Sequence, residues 1–127
     1  MTSTYHLLIV EDEIEIANIE QLALEDLPVN IHHCSNPADG LTYLAENAPA
    51  LLVLDIGLPG MTGWQFLEKV KADKLLPEDV PVVITTAFSD PANRVIGKLQ
   101  NVTHYLTKPF SPMEFRDLVV SVLQLDG

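Results

Sequence analysis

In the stretch Leu51 to Gly63, LLVLDIGLPGMTG, four consecutive apolar residues run into a single acid, Asp55, and then into Gly57, Pro59-Gly60 and Gly63. A short apolar run closed by turn residues is the pattern of a strand buried on both faces, because a half-exposed strand would alternate apolar with polar. That places it inside a parallel sheet. An acid at the carboxyl end of such a strand stands where open α/β sheets hold their ligands.

Further strands flank this one. Tyr5 to Val10 is apolar and ends in Glu11-Asp12-Glu13, Val80 to Thr85 leads into Thr86, and Val102 to Leu106 leads into Thr107-Lys108-Pro109. Val29 to Cys34, which carries His32 and His33, is less apolar and suits an edge. Helical stripes fall between them: Ile16, Ile19 and Ala23 within Glu13 to Asp26, and Gly63, Phe66, Leu67 and Val70 before a polar connection from Lys71 to Asp79. Asn36-Pro37 opens a helix to about Glu46, with Asn as cap and Pro in the first turn. Asp90-Pro91 opens another, with Ala92, Val95, Ile96 and Leu99 on one face. Ser111-Pro112-Met113-Glu114 is a capping box ahead of Phe115, Leu118, Val119, Val122 and Leu123. The order βα repeated five times implies right-handed crossovers and a parallel sheet covered on both faces.

The 127 residues are read as one domain, with no internal repeat and no linker. An apolar fraction of 47% with 20% charged residues is that of a soluble globular chain. No run reaches the roughly 18 apolar residues of a membrane span, and the N-terminus reaches acids too early for a signal peptide. Cys34 has no partner for a disulfide, which suits a reducing, cytoplasmic setting. A net charge of −11 argues against direct nucleic-acid binding and favours cations. His6, His32, His33 and His104 lack metal-site spacing and are read as structural; His32 and His33 must point to opposite faces of their strand. Trp64, beside a core stripe, is expected to be partly exposed.

The strand ends converge on one edge: Glu11-Asp12, Asp55, Thr85-Thr86 and Lys108. Clustered carboxylates repel unless positive charge sits among them, and a hard cation such as Mg²⁺ meets that need through oxygen ligands. Carboxylates, a hydroxyl, a lysine and a metal are the parts that stabilise a transferring phosphoryl group. A carboxylate can also be the nucleophile that receives it.

LLIVEDE, LLVLDIGLPGMTG, VPVVITTAF and YLTKPF, in this order and spacing, resemble the receiver domain of two-component response regulators over nearly the whole chain. The resemblance implies the flavodoxin-like α/β fold, a (βα)5 three-layer sandwich with strand order 2-1-3-4-5; the family is itself a stock illustration of that order. It implies that residues 1–127 are a single receiver domain without an output domain. Asp55 then matches the phosphoacceptor, taking a phosphoryl group from the phosphohistidine of a sensor histidine kinase or a phosphotransfer protein. Asp12, Asp55 and the Gly57 carbonyl match the Mg²⁺ ligands, with Glu11 acting through a water and Mn²⁺ as a substitute ion. Thr86 matches the switch hydroxyl; Thr85 should face the other way. Lys108 matches the lysine that pairs with the phosphoryl group, and Tyr105 the aromatic that rotates on activation. The Lys108-Pro109 bond is expected to be cis. The resemblance assigns signalling to the surface of the fourth helix, fifth strand and fifth helix, toward a downstream protein or output domain. It places the kinase beside the first helix and the loop after the fifth strand, and it is compatible with a homodimer on activation.

Some positions depart from the usual family pattern. Glu11 stands for the commoner aspartate, and Val102-Thr103 for Gly-Ala, setting a larger side chain beside the path of Thr86 and Tyr105. Gly57 and Phe88 flank the route of a hydrolytic water and offer no polar side chain, which implies slow self-dephosphorylation. An aspartyl-nucleophile phosphohydrolase would need a second acid where Gly57 stands. A flavin-binding relative of the fold would need a phosphate cradle where Glu11-Asp12 would repel one. A purely protein-binding receiver would usually lack one of the key residues, all of which are present.

Overall fold

Five strands and five helices alternate along the chain: β1 (Tyr5–Val10), α1 (Ile14–Ala23), β2 (Val29–Cys34), α2 (Pro37–Glu46), β3 (Leu51–Asp55), α3 (Gly63–Ala72), β4 (Val82–Thr86), α4 (Pro91–Leu99), β5 (His104–Thr107) and α5 (Pro112–Leu123). The structure is a computed structural model that describes residues 4–87, 91–100, 102 and 104–125, and of residues 91–94 the backbone alone. The strands form one parallel sheet in the order β2-β1-β3-β4-β5.

The unbroken apolar run of β3 follows from this position. Leu52 and Leu54 enter a core built with Leu44 of α2 and Phe66, Leu67 and Val70 of α3. Leu51 and Val53 enter a second core with Ala23 of α1 and Phe115 and Val119 of α5. Every residue of β3 is buried, so the strand is a rigid post between two hydrophobic layers with Asp55 at its tip.

Local chemistry sets the helix starts. Asn36 Oδ1 accepts from Asp39 N at 2.9 Å. Ser111 and Glu114 exchange both bonds of the expected capping box, each at 3.1 Å. Thr62 and Gln65 form a second box that the sequence reading passed over, with bonds of 2.9 and 3.2 Å. Arg116 of α5 reaches Asp26, after α1, with two bonds of 3.3 and 3.0 Å, an exposed pair that solvent screens.

Several expected boundaries move. The first helix ends at Ala23 rather than near Asp26, because Leu24 turns into the core and Leu27 N bonds back to Leu24 O at 3.0 Å. The fourth strand runs from Val82 to Thr86 rather than from Val80 to Thr85. Val80 N bonds to Pro77 O in a turn, and Pro81 has no N–H for the ladder. Val102 caps α4 through its N–H to Gly97 O at 2.8 Å instead of opening β5, which begins at His104. Of the apolar face expected on α4, Val95 and Leu99 are exposed, and Gly97 is the buried position between them. Asp90 lies outside the described residues, as does the side chain of Ala92.

His32, His33 and Cys34, also singled out in the sequence, sit on β2. His32 stacks on Tyr43 with ring centroids 4.4 Å apart, while His33 donates Nε2–H to Glu11 O at 2.8 Å, consistent with strand alternation. Cys34 is buried, and burial first, then the charge of Asp39, pushes its thiol up to about 11, so it is inert.

Glu20 of α1 breaks the hydrophobic pattern. It is fully buried, and neither carboxylate oxygen has a hydrogen-bond partner among the described residues. Burial, then the negative charge of Glu11, raise its pKa to about 8; Lys108 opposes this and Asp55 adds to it. The folded protein therefore holds Glu20 neutral while the unfolded chain ionises above the ordinary value of 4.5. A native group that keeps its proton longer makes stability fall as pH rises between those two values, by at most about 1.4 kcal/mol per pH unit. Replacing Glu20 with Met should raise the melting temperature, and by more at pH 8 than at pH 5. Equal gains at both pH values in parallel thermal scans would show that Glu20 is not a buried neutral acid.

Candidate functional site

The carboxyl ends of β1, β3, β4 and β5 meet at one edge of the sheet, as parallel strands must, and bring Glu11, Asp12, Asp55, Thr86 and Lys108 into one place. Strand register sets the depth of each residue. Asp55 pairs with Thr85, and Thr86 pairs with Thr107, so the acid at the tip of β3 is level with the end of β4. Asp55, Thr85 and Thr86 are all nearly inaccessible, and Glu11 is 1% exposed.

Lys108 organises the charges. Its Nζ lies 2.8 Å from Glu11 Oε1, 3.3 Å from Asp55 Oδ2 and 3.6 Å from Glu13 Oε2. Its backbone N–H donates to Thr86 O at 2.7 Å, which fixes the strand end that carries it. The peptide bond from Lys108 to Pro109 is cis. The second oxygen of Asp55, Oδ1, accepts from Gly57 N at 2.9 Å, so both carboxylate oxygens are oriented before any ligand arrives. Glu11 Oε2 accepts from Glu13 N at 3.2 Å.

Electrostatics follow this geometry. Burial raises the pKa of Glu11 to about 7, against the pull of Lys108 and with the help of Asp55. Asp12 is also raised, first by desolvation and then by its hydrogen bond to Asp55. Burial works against the charge of Lys108, but Glu11, Asp55 and Glu13 outweigh it and hold the ammonium above its ordinary value. Carboxylates shifted upward in this way are short of positive charge.

Glu11, Asp12 and Asp55 each offer an oxygen, and these oxygens lie within 4.8 Å of one another. An all-oxygen carboxylate donor set with an exposed member, Asp12, fits a hard divalent cation that keeps some of its waters. A separate groove of about 1040 Å³, lined by Leu44, Lys71, Leu76 and Val82 among others, lies at the opposite end of the sheet and contains none of these acids.

Two contributors were missed in the sequence. Glu13, taken only as the start of a helix, faces Lys108; the acid run Glu11-Asp12-Glu13 was the available signal. His33 holds the Glu11 carbonyl from the neighbouring strand, and nothing in its local sequence points there. Tyr105 of β5 is half-buried beside Trp64, with ring centroids 6.4 Å apart. Thr103 and Phe88, invoked for switch amplitude and water access, lie outside the described residues.

Comparison with known proteins agrees with the geometry. Residues 7–120 match the family model for the response regulator receiver domain. The chain is 31% identical over 121 residues to the phosphate regulon transcriptional regulatory protein PhoB of Pseudomonas aeruginosa, covering 95% of this chain and 52% of PhoB. It is 35% identical over 124 residues to the uncharacterized transcriptional regulatory protein YkoG of Bacillus subtilis, covering 96% and 52%. The chain thus spans about half the length of the curated relatives it matches. The solved structure of chemotaxis response regulator CheY4 of Vibrio cholerae superposes with a TM-score of 0.85 at 22% identity, covering 94% of this chain and 99% of that one, a likeness of fold. The chain belongs to the response regulator receiver domain family of two-component systems. Among the described residues, no helix is long and apolar enough to cross a membrane.

Gly63 sets how closely α3 approaches the acid. A Cβ there would fall 2.5 Å from Ile56 Cα and 2.6 Å from Asp55 O, both backbone atoms that cannot swing aside. Gly63→Ala should destabilise the domain by about 1–3 kcal/mol, as overpacking does. It should also weaken Mg²⁺ binding, read by urea unfolding with and without the ion. A neutral effect on both would mean that the loop after β3 yields freely.

Proposed function

We propose that this domain is a phosphorylation-operated receiver, with Asp55 as phosphoacceptor. The observation that carries the reading is the Asp55 carboxylate at the tip of the central strand, one oxygen held by Gly57 N and the other 3.3 Å from Lys108 Nζ, with Glu11 and Asp12 beside it.

An Asp55 oxygen attacks the phosphorus of a phosphohistidine, the P–N bond breaks, and the imidazole leaves with the bonding pair. Glu11, Asp12, Asp55 and the Gly57 carbonyl would hold Mg²⁺, Glu11 through a water, and Mn²⁺ would substitute. The cation supplies charge neutralisation to the phosphoryl oxygens. Lys108, already positioned by Glu11, leaves Asp55 to pair with the phosphoryl group. The Thr86 hydroxyl turns toward that group. Phosphorylation adds a charge of about −1.5 to −2 at one spot, which is enough to rebalance a cluster organised by one ammonium. Thr86 and Tyr105 carry the change to the surface of α4, β5 and α5.

The partners follow from this role: a sensor histidine kinase or phosphotransfer protein at the site, and a downstream protein or output domain at the switched surface. Exposed Ile14 of α1 and Met113 of α5, apolar residues beginning helices that follow the strand ends, suit the kinase-docking face. The domain acts in the cytoplasm as a signalling device and not as an enzyme that turns over substrate. Phe88, in sequence two residues beyond Thr86, offers a hydrolytic water no polar group, so self-dephosphorylation is slow.

Intact mass after incubation with Mg²⁺ and acetyl phosphate tests the chemistry. The parent should gain one phosphoryl group, and Asp55→Asn should gain none. An equal gain in Asp55→Asn would move the acceptor elsewhere. The phosphoryl half-life of the isolated domain should be minutes or longer, and a half-life of seconds would overturn the slow-hydrolysis reading.

A further inference from the structure

Gly97 is the seventh residue of α4 and is buried, while Val95, Lys98 and Leu99 around it are exposed. Glycine inside a helix is disfavoured relative to alanine, so its presence there calls for a reason. Backbone conformation is not the reason, since Gly60 is the glycine with positive φ among the described residues. Space is. A Cβ on Gly97 would fall on Oη of Tyr105, overlap its Cζ and come within 3.0 Å of its Cε2. The phenol end of Tyr105 therefore rests directly on the bare backbone of α4. The same ring meets Trp64 of α3 and packs on the core that contains Phe66 and Ile84.

We propose that Gly97 is a positioning residue for Tyr105. Its missing side chain is the seat that makes the orientation against α4 available, one of the two orientations between which Tyr105 moves. A seat of this kind fixes the free-energy gap between the two states, and so the size of the response that a signal at the strand ends can produce. The switching role rests on the phosphoacceptor reading of Asp55; the seat itself rests on packing alone. The clashing atoms belong to the outer end of a half-buried side chain, so Gly97→Ala would displace Tyr105 and leave the fold intact.

Two measurements separate these layers. In thermal unfolding, Gly97→Ala should lower the melting temperature of the parent. It should raise that of Tyr105→Ala, where only helix propensity remains. A change of the same sign in both backgrounds would remove the seat. The second measurement uses protein labelled with 3-fluorotyrosine, in which Tyr5, Tyr43 and Tyr105 give three fluorine resonances, the last assigned by its loss in Tyr105→Phe. With Mg²⁺ and acetyl phosphate, the Tyr105 resonance of the parent should shift. In Gly97→Ala it should already be displaced and stay unchanged, although intact mass shows the same phosphoryl gain at Asp55. A parent-like shift in Gly97→Ala would overturn the positioning role. Absence of the phosphoryl gain in the parent would overturn the phosphoacceptor reading and the switching role with it, while the thermal comparison would still decide the seat.

Discussion

A partly buried ammonium between buried carboxylates governs this domain. Lys108 stands 2.8 Å from Glu11 and 3.3 Å from Asp55, where burial of both acids weakens screening by water. Removing two carboxylates from solvent is costly, and the cost falls only if a cation is held between them with little freedom. The Lys108 backbone bond to Thr86, the Glu11 carbonyl held by His33 and the Gly57 amide on Asp55 supply that rigidity. Even so the account does not balance. Among the described residues, Glu11, Asp12, Glu13 and Asp55 gather four carboxylates at the one ammonium of Lys108, which pairs with three of them, and Glu11 stays shifted to about 7. The shortfall of positive charge suits a divalent ion, and it makes the cluster responsive to any group that arrives with charge of its own.

Rigidity beneath the cluster comes from the sheet. Because β3 is buried on both faces, the tip carrying Asp55 cannot shift without disturbing two cores. Movement is left to elements held by less. On α4 the described Val95 and Leu99 are exposed, and Gly97 lies directly against Tyr105 of β5. Segments with few buried contacts are where proteins open locally at low free energy. A fixed site beside a helix that leaves Val95 and Leu99 exposed suits the switching role proposed above.

How much of this was legible in sequence depended on the range of the interaction. Strand β3, the Ser111–Glu114 box and the Asn36 cap are local patterns, and they stand in the structure where the sequence puts them. The convergence of Glu11, Asp12, Asp55, Thr86 and Lys108 was legible because parallel topology forces strand ends to one edge. Pairings set by three-dimensional depth were not. His33 reaching the Glu11 carbonyl and Gly97 under Tyr105 join residues whose own segments carry no sign of the contact, and for Glu13 reaching Lys108 the acid run Glu11-Asp12-Glu13 is the one local hint. The apolar stripe on α4 misled for a related reason: periodicity shows which residues share a face, but not whether that face is covered. The strand boundaries near Pro81 and Val102 shifted because single backbone bonds outweighed apolar character.

Glu20 ties the core to the site. It sits in the layer between α1 and the sheet with no hydrogen-bond partner among the described residues, yet it feels the charges of Glu11, Lys108 and Asp55. Were it ionised, another buried negative charge would raise the carboxylates at the strand ends further and weaken the hold of Lys108 on Glu11. Its proton, kept up to about pH 8, removes that repulsion at neutral pH. The neutral acid still fills its place in the packing, and it loses only the hydrogen bonds its oxygens could have made in water. A fully apolar residue would serve the core better. The cost of retaining an acid there is borne by stability, while the charge balance at the carboxyl edge of the sheet stays nearly as it would be without it.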